Sequence, residues 1–475
     1  MSTTPATTET LPSGGGSFLQ TLRSILVGTD QDFTEGNLTR AILLLAIPMV
    51  LEMAMESLFA LVNMLWVSRL GAAAIASVGL TESLMAIVYT VAIGFAMAGT
   101  AMVARRIGEK DAKAASVAAA QVMWLAVGAG ALMGLFGGLF APDLLRLMGA
   151  SHEVVATGSG FARILLGAQA IVILLFVLNG AFRGTGDAAM AMRTLWIANA
   201  VNLVLDPCLI FGLGPFPKLG VTGTAVATTV GRGVGVLVQL YVLFSGKRRI
   251  HLQRHALVPN LEVIARLVRM SLGGMGQYLI STASWVVMVR IVSRFGDAAV
   301  AGYTVAMRVV FVALLPAWGM SNAAATLVGQ NLGAGKPQRA EQSVFRAAAY
   351  NMAFMGVVTV VLVFGTRLVL APFGADAAVV PIAVAALRTL AYGFVFYGLG
   401  MVVVQSFNGA GDTFTPTIIN VVTFWIIQIP LAWALSSWTG LGPQGVFWSV
   451  AIAYSSQAVI GLLAFRRGTW KTRTV

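Results

Sequence analysis

Residues 41–71 read AILLLAIPMVLEMAMESLFALVNMLWVSRLG. At 1.5 Å of rise per residue, the run is long enough to cross a hydrocarbon core of about 30 Å. Before its basic end at Arg69, its apolar character is interrupted chiefly by Glu52, Glu56 and Asn63. A run of this kind is a membrane-spanning helix. Its two acids then need an account, because a carboxylate at mid-bilayer costs about 2.5–3.5 kcal/mol on the insertion scale.

The rest of the chain follows the same pattern. Of its 475 residues, 58% are hydrophobic and only 10% are charged, with a mean hydropathy of +0.85. Apolar runs place twelve spans, near 41–67, 76–103, 117–140, 160–182, 189–213, 221–245, 264–292, 299–327, 345–371, 381–407, 415–438 and 444–465. An even number of spans leaves both ends on one side. Loops on that side carry Arg105, Arg106, Lys110, Lys113, Arg183, Arg193, Lys247, Arg248, Arg249, Arg254, Lys336, Arg339 and Arg346. The positive-inside bias therefore predicts two cytoplasmic termini in a cell (inner) membrane. The net charge of +13 is read as this topology signal, and no nucleic-acid partner is expected. The one cysteine, Cys208, excludes an intrachain disulfide and a cysteine metal cluster. His251 and His255 have the i, i+4 spacing that metal ligands use, but they sit in a basic loop and are read as part of it. Residues 1–36 are Ser/Thr/Gly-rich and then mildly acidic, without the basic start and apolar core of a signal peptide.

Shifted by 225 positions, the chain meets itself. Val67-Ser68-Arg69-Leu70-Gly71 meets Val292-Ser293-Arg294-Phe295-Gly296, and Val103 and Gly108 meet Val328 and Gly333. Met148-Gly149-Ala150 meets Phe373-Gly374-Ala375, Phe182–Asp187 meets Phe407–Asp412, and Gly220-Val221 meets Gly445-Val446. Each repeat holds six spans, so the halves share one orientation and are related by an axis along the membrane normal. The predicted fold is an all-α polytopic membrane protein of twelve transmembrane helices in two six-helix bundles. The expected division is a flexible cytoplasmic tail at 1–37, an N-terminal lobe at 38–245 and a basic linker at 246–262. A C-terminal lobe at 263–465 and a cytoplasmic tail at 466–475 complete it. Two parallel halves around a cleft suit alternating access.

Four acids fall inside spans: Glu52, Glu56, Glu82 and Asp206. Their repeat positions are Gln277, Ser281, Met307 and Leu431, none of them acidic. Carboxylates kept in only one of two similar halves favour a function over packing. For Glu82 the alternative is a structural pair with Arg308 or Arg232. At 100° per residue, Glu52, Glu56 and Asn63 lie within about 40° of one another. Asn199, Asn202 and Asp206 form a second polar stripe at i, i+3, i+7, and Thr224 begins the next span at about the same depth. These residues are read as a polar chamber. A partly desolvated carboxylate there can take up a proton and release it when the chamber opens to the other side. Sodium is the alternative ion.

With these residues in view, the chain resembles the multidrug and toxic compound extrusion family over about residues 38–465. The resemblance is carried by Leu45-Ala46-Ile47-Pro48, Phe182-Arg183-Gly184-Thr185-Gly186-Asp187, the Asn199/Asn202/Asp206 stripe and Phe211–Ala225. Val328-Gly329-Gln330-Asn331-Leu332-Gly333-Ala334-Gly335 completes it. It implies cation-coupled export of organic, often cationic and amphipathic, compounds. It also implies a coupling site to which Asn202, Asp206 and Thr224 correspond. Asn63 stands where the family's first-span aspartate is usual, and an amide cannot titrate, so either Glu56 takes over or coupling differs. The expected coupling residues are Glu56, Asp206, Glu52, Asn63, Asn202 and Thr224, and the expected substrate contacts are Asn199, Gln277, Tyr278 and Glu82.

No enzyme activity and no cofactor beyond the coupling ion, H+ or Na+, is expected. The expected partners are small organic substrates and the lipid bilayer, with a monomeric chain. A lipid-linked oligosaccharide flippase is the alternative; it would want a basic cavity, for which Arg232 and Arg308 are the candidates. An intramembrane enzyme using Glu56 and Asp206 lacks a GxGD-type motif within a span. No P-loop is present, so ATP is not the direct energy source.

Overall fold

The structure is a computed structural model that describes residues 32–246, 248–371 and 378–473. Among the described residues there is no strand. The N-terminal lobe contains α1 (Leu38–Ser68), α2 (Ala72–Gly108), α3 (Ala112–Leu139), α4, α5 (Ala188–Phe211) and α6 (Val221–Ser245). Helix α4 is a bent pair, His152–Gly167 and Gln169–Thr185, with a 45° break. The C-terminal lobe contains α7 (Leu261–Val292), α8 (Asp297–Gly333), α9 (Pro337–Phe364), α10, α11 (Phe414–Ser437) and α12 (Pro443–Arg466). Helix α10 pairs Val380–Tyr392 with Phe394–Gly409 across a 55° break. The helix starts carry their own caps: Asn37, Asp111, Ser151, Asp187 and Asn260 each accept from free first-turn N–H groups.

The repeat read from sequence returns in the geometry. Helices α2 and α8, and likewise α3 and α9, begin and end at positions 225 apart. The breaks at Ala168 and Gly393 share that offset, as do the starts of two short helices, Ala141–Leu147 and Thr366–Leu370. Neither the breaks nor the short helices were expected from apolar runs, which record only hydropathy. Helix α11 also departs from a regular span, since Val421–Gln428 is π-helical. Pro430, just beyond it, has no N–H to donate, and a widened turn ahead of it gives its ring room.

The lobes meet through α2 and α8, each packed against the first helix of the other lobe. A Cβ at Gly94 would lie 2.5 Å from Met275 Cγ on α7, and one at its repeat mate Gly319 would lie 2.9 Å from Val50 N on α1. At the basic end the approach is closer. A Cβ at Gly108 would fall 2.0 Å from the Gln330 carbonyl oxygen, and one at Gly333 would fall 2.1 Å from that of Arg105. Only glycine permits backbones this near. Gln330 Nε2 also donates to the Gly184 carbonyl at 2.9 Å. The two lobes are therefore closed over one another at the basic end.

The described residues that flank the two lobes, 32–37 and 467–473, also lie at this closure. Phe33 is buried, and Lys336 Nζ and Arg339 Nη2 donate to the carbonyls of Thr34 (3.1 Å) and Glu35 (2.8 Å). Trp470 is buried and stacks on Phe465 at 4.6 Å between centroids. The Arg473 carbonyl accepts from Arg105 Nη2 at 2.6 Å, across the lobes. Residues 1–31, Lys247 and the repeat block Phe373-Gly374-Ala375 lie outside the described residues.

Candidate functional site

A file of polar groups runs down the N-terminal lobe. Its innermost member is Glu52, buried and ion-paired with Arg183 of α4. The repeat mates of this pair, Gln277 and Asn408, also bond each other, at 3.0 and 3.1 Å. Both lobes thus tie their first helix to their fourth at the same place, one with an ion pair and one with two amides. Glu52, without an acidic mate, thus stands at a tie that the other lobe makes with amides, and its second oxygen is enclosed without a partner. Gln277 is likewise engaged inside its own lobe, since its Nε2 also donates to the Thr413 carbonyl at 3.1 Å.

The middle of the file is a cluster around Glu56. Its Oε2 accepts from Asn199 Nδ2 of α5 at 3.4 Å. Arg232 of α6 lies within electrostatic reach of Glu56, and its Nη2 donates to Tyr89 Oη of α2 at 3.4 Å. Tyr278 of α7, in the other lobe, lies within electrostatic reach of Tyr89. Asn199, Glu56 and Tyr278 are therefore brought to one depth, near the middle of their helices. Tyr89 was not singled out in the sequence, and Arg232 was named only as a basic-cavity candidate for a flippase or a partner for Glu82. The available signal was Arg232 itself, since an arginine inside a span is rare and usually faces a cavity.

The outer cluster is built on Asp206, which is fully buried. With the Asn202 amide turned to satisfy both of its groups, its nitrogen donates to Asp206 Oδ2 at 2.8 Å and its oxygen accepts from Thr228 Oγ1 at 2.9 Å. Among the described residues no salt bridge reaches Asp206. Thr224, one helical turn before Thr228, is buried with no partner for its hydroxyl. Asn63 is half-buried, and its Oδ1 is enclosed without a partner. No hydrogen bond joins Asn63 to Asp206 among the described residues. Thr228 was missed in the sequence, although its i+4 spacing from Thr224 puts both on one face.

Glu82 lies outside the file. It is exposed on α2, opposite the exposed Arg308 of α8, with which it interacts electrostatically. Residue 83 is the repeat mate of Arg308, so this pair sits close to the pseudo-two-fold axis.

A polar file in one lobe, set in two repeats closed at one end, asks to be placed among known proteins. A family model described as MatE matches residues 48–208 and again 275–434, once in each lobe. The chain belongs to the MatE family. This MatE chain is 26% identical over 442 residues to the Probable multidrug resistance protein YoeA of Bacillus subtilis, covering 92% of the chain and 95% of that protein. It is 23% identical over 431 residues to the Probable multidrug resistance protein NorM of Thermotoga maritima, covering 91% and 93%. A solved structure of a MOP superfamily transporter from Pyrococcus furiosus matches with a TM-score of 0.87 at 27% identity, covering 93% of this chain and 98% of that one. The MatE chain is a multi-pass membrane protein of a family of small-compound transporters named for multidrug resistance.

Proposed function

We propose that this MatE chain is a secondary active multidrug exporter that exchanges protons, or sodium, for amphipathic organic compounds bearing a cationic group. The observation that carries this reading is Asp206: a fully buried carboxylate, hydrogen-bonded to Asn202, with no lysine or arginine in salt-bridge contact among the described residues. An isolated carboxylate anion in such a place is too costly to keep. It is balanced by a proton or a bound cation, and an ion held this way is exchangeable when the lobe opens. Its repeat mate is Leu431, so one lobe works on the ion and the other serves as scaffold. Glu56 and Glu82 supply negative charge toward the cleft for the cationic group. The basic end, where the lobes are closed, is the cytoplasmic face of the cell membrane in this reading, and the monomer is the working unit. The reading is tested by proton release on adding ethidium to the purified protein. Release from wild type that is absent from Asp206→Asn supports it. Ethidium binding without release, responsive to sodium instead, moves the coupling to sodium. No response to ethidium under either ion overturns the exchanger.

A further inference from the structure

One charged group in the middle cluster has no use in the exchange just described. Arg232 Nη1 is enclosed and has no hydrogen-bond partner in the protein, while Nη2 makes only the 3.4 Å contact to Tyr89 Oη. Two other half-buried arginines are ion-paired, Arg183 to Glu52 and Arg248 to Asp187 at 3.2 Å. Glu56 is near enough to be felt but makes no salt bridge to Arg232, and its Oε2 is engaged by Asn199. The repeat mate of Arg232 is Gln457, whose Nε2 is committed to Asn420 at 3.0 Å. Packing at this position is therefore served by a neutral amide in the other lobe. An enclosed guanidinium presents a planar fork that matches the two oxygens of a carboxylate or phosphate. Tyr89 lies on α2, which packs against α7 of the facing lobe at Gly94 and Met275, so the fork lies near the seam between the lobes.

We infer that the compounds this chain prefers bear an oxyanion, a carboxylate or phosphate, beside their cationic group, and that Arg232 is the side chain that binds it. The inference rests on the transport reading above and adds to its cationic substrates a preference for zwitterions. Glu56 and Arg232, held apart rather than bonded, then serve the two ends of such a dipole.

The test uses two dyes that differ by one methyl ester: rhodamine 123, a cation, and rhodamine 110, its free acid. Binding to the purified full chain is followed by fluorescence anisotropy. Wild type is expected to bind the free acid about tenfold more tightly, the scale of a hydrogen bond to a charged group. Arg232→Gln is expected to lose that preference while keeping its affinity for the ester, and Arg232→Lys, with charge but no fork, to keep part of it. Displacement of the bound acid by benzoate or by phenyl phosphate tells which oxyanion is preferred, and displacement by neither overturns the inference. Equal or weaker binding of the acid by wild type overturns it too, and this comparison needs no variant to fold. Proton release driven by the ester reports on the exchange reading separately, because it can persist when the preference for the acid is absent.

Discussion

Replacing Gly333 by alanine probes the closure of the basic end. The added methyl would sit 2.1 Å from the Arg105 carbonyl oxygen and 3.0 Å from Glu109 N, both backbone atoms of α2 and its cap. Because backbone cannot rotate away as a side chain can, α2 and α8 must separate by roughly 1 Å to reach ordinary contact. Overpacking of this kind costs about 1–3 kcal/mol. The clash exists only while the lobes are closed at this end, so the whole cost falls on that state. It shifts the closed-to-open ratio by about 5- to 150-fold. Spin labels on cysteines at Lys113 and Gln338, which are repeat mates and exposed at the starts of α3 and α9, report the separation. Cys208 is replaced by serine beforehand. Pulsed dipolar spectroscopy should show the short-distance population of the parent giving way to a longer one in Gly333→Ala. Superimposable distributions from two well-folded proteins would refute the claim that these glycines set the closure.

Three other outcomes follow from the same geometry. Glu52→Gln leaves the half-buried Arg183 without its counter-charge and should cost up to about 3 kcal/mol; adding Arg183→Asn, which copies the Gln277–Asn408 pair, should restore most of the loss in thermal melts. Asp206→Asn should abolish proton release upon dye addition at every pH tested while leaving the melting temperature near that of wild type, and a retained release would remove Asp206 from the coupling role. Trp470→Ala removes a buried ring stacked on Phe465 and should destabilise the basic end by about 3 kcal/mol, read as faster amide exchange at Arg105 and along the end of α12.

The fold was legible because a bilayer simplifies it. Long apolar runs have few outcomes in lipid, and the offset of 225 could be read from five short motifs. The bends at Ala168 and Gly393 were not legible, since neither position interrupts hydropathy. The chain ends read as tails because they are polar, yet Phe33 is buried and Trp470 is buried against Phe465. Within the site, the pairing of Asn202 with Asp206 and of Glu56 with Asn199 follows from helical spacing and the adjacency of α1 and α5. Comparing Glu52 with Gln277 by charge alone hid the fact that both residues tie the first helix of their lobe to the fourth, which only the partner positions 183 and 408 reveal.

That tie has an evolutionary consequence. If the two halves descend from one duplicated segment, the ancestor, as a symmetric pair of identical chains, had a single version of this tie and could change it only in both copies at once. Fusion into one chain released each copy from the other, and the copies drifted as couples, acid with base in one half and amide with amide in the other. Substitutions at 52 and 183 should therefore be correlated with each other, as should those at 277 and 408, while the two couples vary independently across the descendants of the duplication.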